Sequence, residues 1–205
     1  PTLLPLFGAL RGIMVSDRAT ALNFWAMERR QICWAHLIRK FISFSERDGS
    51  AAALGQEMLD YAGIIFEYWH NYKDGELSRE QLISRMAPVR QQFEALLARA
   101  GTAKIKKMSG SCRNMLAHKQ ALWTFVEHDG VEPTNNHAEQ QLRAFVLWRR
   151  RSFGTQSERG NVFAERIMTI AHTARKQNQN VLAFLTACCD PTTTTPSLFD
   201  SHVTV

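Results

Sequence analysis

The sequence predicts an α/β chain that is mostly helical, and three observations support this fold class. Residues 12–17 and 30–34 are short apolar runs separated by a helical pattern, and a strand–helix–strand beginning is typical of a parallel or mixed sheet. Between residues 45 and 128 the apolar positions recur at steps of three and four, the period of a helix. Turn residues after residue 128 then lead into further helical patterns.

Composition is that of an ordinary globular protein. Hydrophobic residues make up 45% and charged residues 21% of the 205 residues, so wholesale disorder is excluded. The 25 basic and 19 acidic residues give a net charge of +6. This excess permits a polyanionic partner without requiring one. The four cysteines contain no C-x-x-C pair and no apolar run is long enough for a membrane span, which favours reduced thiols and a cytoplasmic protein.

The first expected strand ends at Asp17, the first acidic residue of the chain. Chemistry in α/β sheets lies at the carboxyl ends of strands, so Asp17 is a candidate catalytic residue. Alternatively, Asp17 caps a helix expected at residues 19–28, since Asp before an apolar run is a common helix start. The second strand leads through Cys33 and Trp34 to His36 and a helix at residues 37–44. A histidine without a second ligand at metal spacing is most often exposed or hydrogen-bonded.

The middle of the chain, residues 45–128, is expected to be all helical. One helix covers residues 51–72. Another follows the capping box formed by Ser78 and Gln81 and ends near residue 99, before Gly101. Residues 104–119 carry basic side chains, among them Lys104, Lys106 and Lys107, with no acidic residue between them. Such a run is either a solvated face or a surface that follows DNA phosphates. An amphipathic helix continues to the turn at residues 129–130.

A dense set of polar residues follows that turn. Thr134, Asn135 or Asn136 can cap the next helix, which would direct Ala138, Leu142 and Phe145 inward. Glu139 lies near the start of this helix, where the dipole favours a carboxylate. An apolar run then ends in three arginines before Gly154, residues 156–160 form a loop, and helices follow at 162–177 and 181–189. The arginines that accompany Glu139 are Arg143, Arg149, Arg150 and Arg151. From the pattern alone, this segment is either a metal-binding carboxylate beside a phosphate-binding cluster or a capped surface helix.

Three motifs, in the same order, resemble transposases of the insertion-sequence sixty-six family. TNNHAEQQLR followed by RRRSFGTQSERG is similar to the family's TNN-x-AE-xx-LR segment with its basic strand and Gly/Ser-rich turn. QICWAHLIRKF resembles the CWAH-xx-R-x-F segment, and SDRATALNFW resembles the stretch that precedes it.

The resemblance implies a DDE transposase with a ribonuclease-H-like core that cuts and joins DNA. Asp17 and Glu139 match the second and third metal-binding acids, with His36 near the active site. Two Mg²⁺ or Mn²⁺ ions would activate the attacking oxygen and stabilise the leaving one. The expected partners are transposon ends and target DNA in a bacterial cytoplasm. The residues expected to contact DNA are Asn135, Asn136, Lys104, Lys106, Lys107, Arg143, Arg149, Arg150 and Arg151.

The sequence departs from the family in one respect, because no acidic residue precedes Asp17 to serve as the first metal ligand. We therefore expect a partial ribonuclease-H-like core whose first strands are missing, inactive in cleavage by itself, and either a homo-oligomer or the partner of an N-terminal part. The expected organisation is a core part at 1–44, a helical insertion at 45–128, a second core part at 129–190 and a flexible tail at 191–205. The alternative function is a non-catalytic helical module that binds DNA or protein.

Overall fold

The computed structural model describes residues 11–192, 194 and 196–199. It is 69% helix and 3% strand, as the mostly helical prediction requires. The chain forms two compact units, Pro1–Asn136 and His137–Val205. No helix in the described ranges is long and apolar enough to cross a membrane. The tail predicted at 191–205 lies largely outside the described residues.

The sheet has two short parallel strands, β1 at Met14–Ser16 and β2 at Arg30–Ile32. The helix predicted at residues 19–28 is wrong, because two 3₁₀ turns, Thr20–Leu22 and Met27–Arg29, occupy this connection. The fully buried guanidinium of Arg30 explains the difference. It donates hydrogen bonds to the Leu22 carbonyl and the Asn23 side-chain oxygen, each over 3.4 Å. These carbonyl and side-chain acceptors are therefore committed to a tertiary contact, which a regular helix would not offer in the same place.

The other edge of β2 is closed by side chains. The backbone amide of Cys33 donates to the Ser16 carbonyl over 2.8 Å. The backbone N–H and C=O groups of odd-numbered residues in this stretch therefore point toward β1, and those of even-numbered residues point away from it. On the far side, Thr124 Oγ1 donates to the Arg30 carbonyl over 2.6 Å, and Gln31 Nε2 donates to the Ile32 carbonyl over 2.7 Å. The sheet is thereby fastened to the segment around Thr124, and this edge is not free to pair with another strand.

Helices follow β2 without any strand between residues 45 and 128, all of which are described. Their bounds are α1 Trp34–Ser45, α2 Ser50–Lys73, α3 Arg79–Thr102, α4 Met108–Ala117 and, after a 3₁₀ turn at Lys119–Leu122, α5 Thr124–Glu127. The predicted capping box is confirmed: Ser78 Oγ accepts from the Gln81 amide over 3.2 Å, and Gln81 Oε1 accepts from the Ser78 amide over 2.8 Å. The predicted stop at Gly101 is wrong. Gly101 is buried inside α3, where a Cβ would lie 3.1 Å from the Arg113 side chain, so the glycine permits close packing of α4.

The core of the first unit is built on aromatic rings from α1, α3 and the residue that precedes α5. The Trp34 ring lies 5.3 Å from that of Phe93 and 5.4 Å from that of Trp123, measured between centroids. All three side chains are fully buried. Rings at such distances in tilted or edge-on geometry stabilise a core beyond simple area burial. The start of α1 is therefore held firmly against the middle of α3.

The second unit contains three helices, α6 Asn136–Ser152, α7 Glu158–Lys176 and α8 Val181–Cys189. The family's pattern has a basic strand after the Glu139 helix, but in this chain Arg149 to Arg151 lie in the last turn of α6. Arginine is a good helix former and is favoured near a helix carboxyl end, so the helix simply continues. The loop predicted at 156–160 is also shorter, because Ser157 caps α7 by accepting from the Gly160 amide over 3.1 Å. Ala138 and Leu142 are exposed, Leu142 by 61%, so the inward face predicted for them is wrong.

Candidate functional site

Asp17 stands at the carboxyl end of β1. The register pairs Ser16 with Ile32, so Asp17 and Cys33 follow neighbouring strands at one edge of the sheet. The connection after Asp17 is an Asx turn, in which Oδ1 accepts from the Ala19 amide over 3.0 Å. Asp17 therefore accepts a hydrogen bond from the backbone that follows it, as a cap would, but a 3₁₀ turn and not an α-helix follows.

Two arginines surround the Asp17 backbone and raise the local positive charge. Arg30 donates from Nη2 to the Asp17 carbonyl over 2.7 Å and from Nε to Ser16 Oγ over 3.2 Å. Burial lowers the pKa of Arg30, and the negative charge of Asp17 opposes that change. Burial likewise lowers the pKa of Arg18, opposed by Cys112 and then by Asp17. In the described part of the chain, however, no ion pair occupies the Asp17 carboxylate.

The loop that leads into the Glu139 helix is anchored at the same edge of the sheet. The Trp34 amide donates to the Pro133 carbonyl over 2.9 Å, and the Asn135 amide donates to Cys33 Sγ over 3.2 Å. The CWAH and TNN motifs, about a hundred positions apart in sequence, therefore meet within the first unit, through a backbone amide of one and the cysteine sulfur of the other. This contact places the start of the TNN motif beside the start of the CWAH motif.

The remaining predicted residues of that neighbourhood lie at helix starts. His36 is partly buried in the first turn of α1, and its amide donates to the Cys33 carbonyl over 3.2 Å. Asn136 is the first residue of α6 and is exposed, while Asn135 is partly buried. Glu139 lies in the first turn of α6, as the sequence predicts, and is partly exposed.

The basic residues form two exposed groups, one in each unit. In the second unit these are Arg143, Arg149, Arg150 and Arg151 on α6. In the first unit Lys104, Lys106 and Lys107 form the turn between α3 and α4, which we call the lysine turn. Lys104 and Lys107 have positive φ, of 57° and 63°, and Arg47 Nη1 donates to the Lys106 carbonyl over 3.0 Å. None of the three lysines forms an ion pair with any described acid, whereas Lys119 of the same run pairs with Glu94 over 3.3 Å.

Sequence analysis missed the buried polar residues that hold this edge together. Arg30 and Gln31 are fully buried in β2, and Gln31 Oε1 accepts from the Phe125 amide over 2.8 Å. The signal was present, since an arginine and a glutamine begin a strand that is otherwise apolar. Buried polar side chains of this kind are hydrogen-bonded, so their partners must come from elsewhere in the chain.

A comparison with protein families identifies the class of protein. The family described as Transposase IS66 family matches residues 3–162, well over half of the chain. The chain is therefore a transposase-family protein. It belongs to the Transposase IS66 family, the insertion-sequence sixty-six family that its motifs resemble. No curated protein and no solved structure matches the chain. Membership indicates a role in DNA transposition and an interaction with DNA.

Proposed function

We propose that this chain carries part of a DDE transposase catalytic domain, and that its sheet with α1 is part of a ribonuclease-H-like core. The observation that supports this most is the anchoring of residues 133–135 to Cys33 and Trp34, beside the strand end that carries Asp17. In the proposal Asp17 and Glu139 are ligands of a divalent cation. Both are acidic residues at element ends, and both lie within residues 3–162, the range that the family model matches.

Asp17 fits a hard cation chemically. Its carboxylate is partly exposed, and within the described ranges only Oδ1 accepts a hydrogen bond, in the turn contact with Ala19. Carboxylate oxygens are the ligands that Mg²⁺ and Mn²⁺ prefer, usually with several waters retained. When bound, such ions activate an attacking oxygen and stabilise a leaving one in phosphoryl transfer. The nearby guanidinium groups of Arg18 and Arg30 reduce the attraction for a cation and would themselves attract a phosphate.

Binding of Mn²⁺ alone tests the ligand assignment. Asp17→Asn keeps an oxygen that can accept from Ala19, so the turn remains while the charge is lost. We expect Asp17→Asn and Glu139→Gln each to weaken Mn²⁺ binding by about tenfold or more, measured by titration calorimetry or electron paramagnetic resonance. Asp74→Asn, at an exposed acid after α2, is the control and should leave binding unchanged. Equal affinities in all four proteins would favour the non-catalytic helical module.

We propose further that the α6 arginines and the lysine turn bind DNA phosphates. Exposed cations without acidic partners release counterions when they contact phosphate, so log affinity falls steeply with log salt. Replacing Arg149, Arg150 and Arg151 together by alanine should lower both duplex affinity and that slope, by about 0.9 for each phosphate contact removed. Filter binding over a series of salt concentrations gives both quantities. An unchanged slope would assign the arginines to helix stability and not to DNA.

A further inference from the structure

The second unit contains a groove between α6 and α7 that shares only Arg149 with the proposed metal and phosphate contacts. It has a volume of about 750 Å³, and all its lining residues lie between Gln141 and Lys176. Its lining includes Phe145, Trp148, Arg149, Phe153, Glu165 and Lys176. We call this feature the α6/α7 groove.

The aromatic side chains that line the groove are partly or largely exposed. The rings of Phe145 and Trp148 lie 5.6 Å apart at an interplanar angle of 32°, in a tilted arrangement. Trp148 is partly exposed, whereas the other four tryptophans of the chain are buried. Phe153 is 92% exposed, which is unusual for so large an apolar side chain. Exposed rings of this kind are suited to stacking on a planar ligand.

Phe153 is also held in an unfavourable backbone conformation. Its φ of 58° lies in the left-handed region, which is rare for a bulky residue. The loop around it is fixed, since the hydroxyl of Thr155 bonds the Asn161 side chain and Ser157 caps α7. A strained, outward-facing aromatic residue in a fixed loop is typical of a binding position.

The charge of the groove selects the kind of ligand. Arg149 and Lys176 line it, and among the described residues neither forms an ion pair. Glu165 is the one acidic residue among those that line it. Arg150 and Arg151 follow directly in the same helical turn. The ligand therefore combines a planar apolar group with negative charge, as an unpaired nucleotide does.

We infer that the α6/α7 groove binds single-stranded DNA by stacking an unpaired base on Phe153 and Trp148 while Arg149 and Lys176 contact the adjoining phosphates. Proteins that bind single strands combine cationic residues with aromatic stacking, and every base has a face that can stack. A duplex conceals these faces, so it gains only the phosphate contacts. The inference rests on the proposed function and specifies the form of DNA that this unit recognises.

The test compares a short oligothymidylate with a duplex of equal length, using the full chain at low salt. Phe153→Ala should weaken single-strand binding roughly 5- to 150-fold, the range expected for a lost base–aromatic stack, and change duplex binding less than about twofold. Phe153→Tyr keeps the ring and should bind like the parent. The matched control is Phe163→Ala, which removes a 65% exposed aromatic residue of α7 that does not line the groove. Because Trp148 is the accessible tryptophan, single-strand binding should also quench fluorescence, and Trp148→Phe should remove that signal.

The outcomes separate this inference from the proposed function. Equal losses for single strand and duplex, or equal losses in Phe153→Ala and Phe163→Ala, would overturn base stacking while leaving phosphate binding intact. Failure of the parent chain to bind any DNA at low salt would overturn both. A dimer that Phe153→Ala dissociates, without a selective loss of single-strand binding, would assign the groove to a second copy of the chain.

Discussion

The backbone amide of Asn135 donates a hydrogen bond to the sulfur of Cys33 over 3.2 Å. The bond joins the end of β2 to the loop that opens the Glu139 helix. Cys33 is fully buried, so no water competes for its sulfur. The Cys33 side chain therefore acts as a hydrogen-bond acceptor for a backbone amide.

Removing this acceptor should loosen the loop. In Cys33→Ala we expect the Asn135 amide to exchange its hydrogen about fivefold faster, because a typical net hydrogen bond is worth about 1 kcal/mol. Native-state hydrogen exchange followed by NMR measures this. Cys112→Ala, at the other buried cysteine, is the control and should leave Asn135 unchanged. The same exchange rate in all three proteins would mean that Pro133 alone anchors the loop.

Gly55 should tolerate no side chain. A Cβ there would lie 2.4 Å from the Ser45 nitrogen and 2.7 Å from the Phe44 carbonyl carbon, so α1 and α2 would have to separate. We expect Gly55→Ala to lower the free energy of unfolding by about 1–3 kcal/mol, as overpacking does. Gly63→Ala, in the same helix with open space around it, should raise stability by up to about 1 kcal/mol. Urea denaturation of both variants measures the contrast, and equal effects would refute the packing argument.

The buried polar side chain of Gln31 should be required for the stability of the fold. Gln31→Leu leaves the Phe125 amide and the Ile32 carbonyl without their side-chain partner in a buried site. One buried unsatisfied group costs about 1–3 kcal/mol, so the loss should be at least that large by urea denaturation. Gln120→Leu, at an exposed glutamine, is the control. If Gln31→Leu were as stable as its parent, these hydrogen bonds would contribute nothing net to folding.

A contact between Tyr72 and Asp129 should make the stability of the fold depend on pH in the acidic range. The Tyr72 hydroxyl donates to Asp129 Oδ1 over 2.7 Å, and this bond is the main cause that lowers the pKa of Asp129. Because the folded pKa is depressed, the contact stabilises the fold above the unfolded pKa of about 3.9 and is lost as pH falls through the lower folded value. In Tyr72→Phe the pKa of Asp129 should rise, as an NMR titration of its carboxyl carbon would show. Tyr61→Phe, whose hydroxyl faces Gln92, should not alter it.

The lysine turn should contribute directly to the affinity for duplex DNA. Replacing Lys104, Lys106 and Lys107 together by alanine removes three exposed charges without acidic partners in the described chain, so duplex affinity should fall and its salt slope should decrease. Lys119→Ala removes a charge of the same run that already pairs with Glu94, and should have little effect. Equal loss per charge in both variants would indicate a diffuse electrostatic field instead of a contact surface.

Local signals were readable from the sequence, whereas tertiary ones were not. Ser78 and Gln81 form their capping box from residues three apart, so the sequence contains both partners. The helix expected at residues 19–28 failed because the Arg30 guanidinium takes acceptors in that connection, a burial that no local pattern reveals. The helix stop predicted at Gly101 was wrong for a similar reason, because the side chain that packs against Gly101 is that of Arg113, in another helix.

The same distinction applies to the candidate site. Asp17 could be placed at a strand end from the apolar pattern alone, and the observed β1 ends at Ser16, directly before it. The pairing of Asp17 with Glu139 came from resemblance to the family and stays a prediction. Periodicity assigned Leu142 to an inward face of α6, but it does not tell whether anything covers that face. The α6/α7 groove was for this reason invisible in the sequence.

Helix α1 separates the strand end that carries Asp17 from the lysine turn. It begins immediately after Cys33 and contains 12 residues, so at 1.5 Å for each residue it measures about 18 Å. Just beyond its end, Arg47 bonds the carbonyl of Lys106, which places the lysine turn at the far end of this rod. Successive base pairs of a duplex are about 3.4 Å apart, so 18 Å corresponds to about five of them. A duplex lying along α1 would therefore meet the lysine turn about half a helical turn away from the strand edge that carries Asp17.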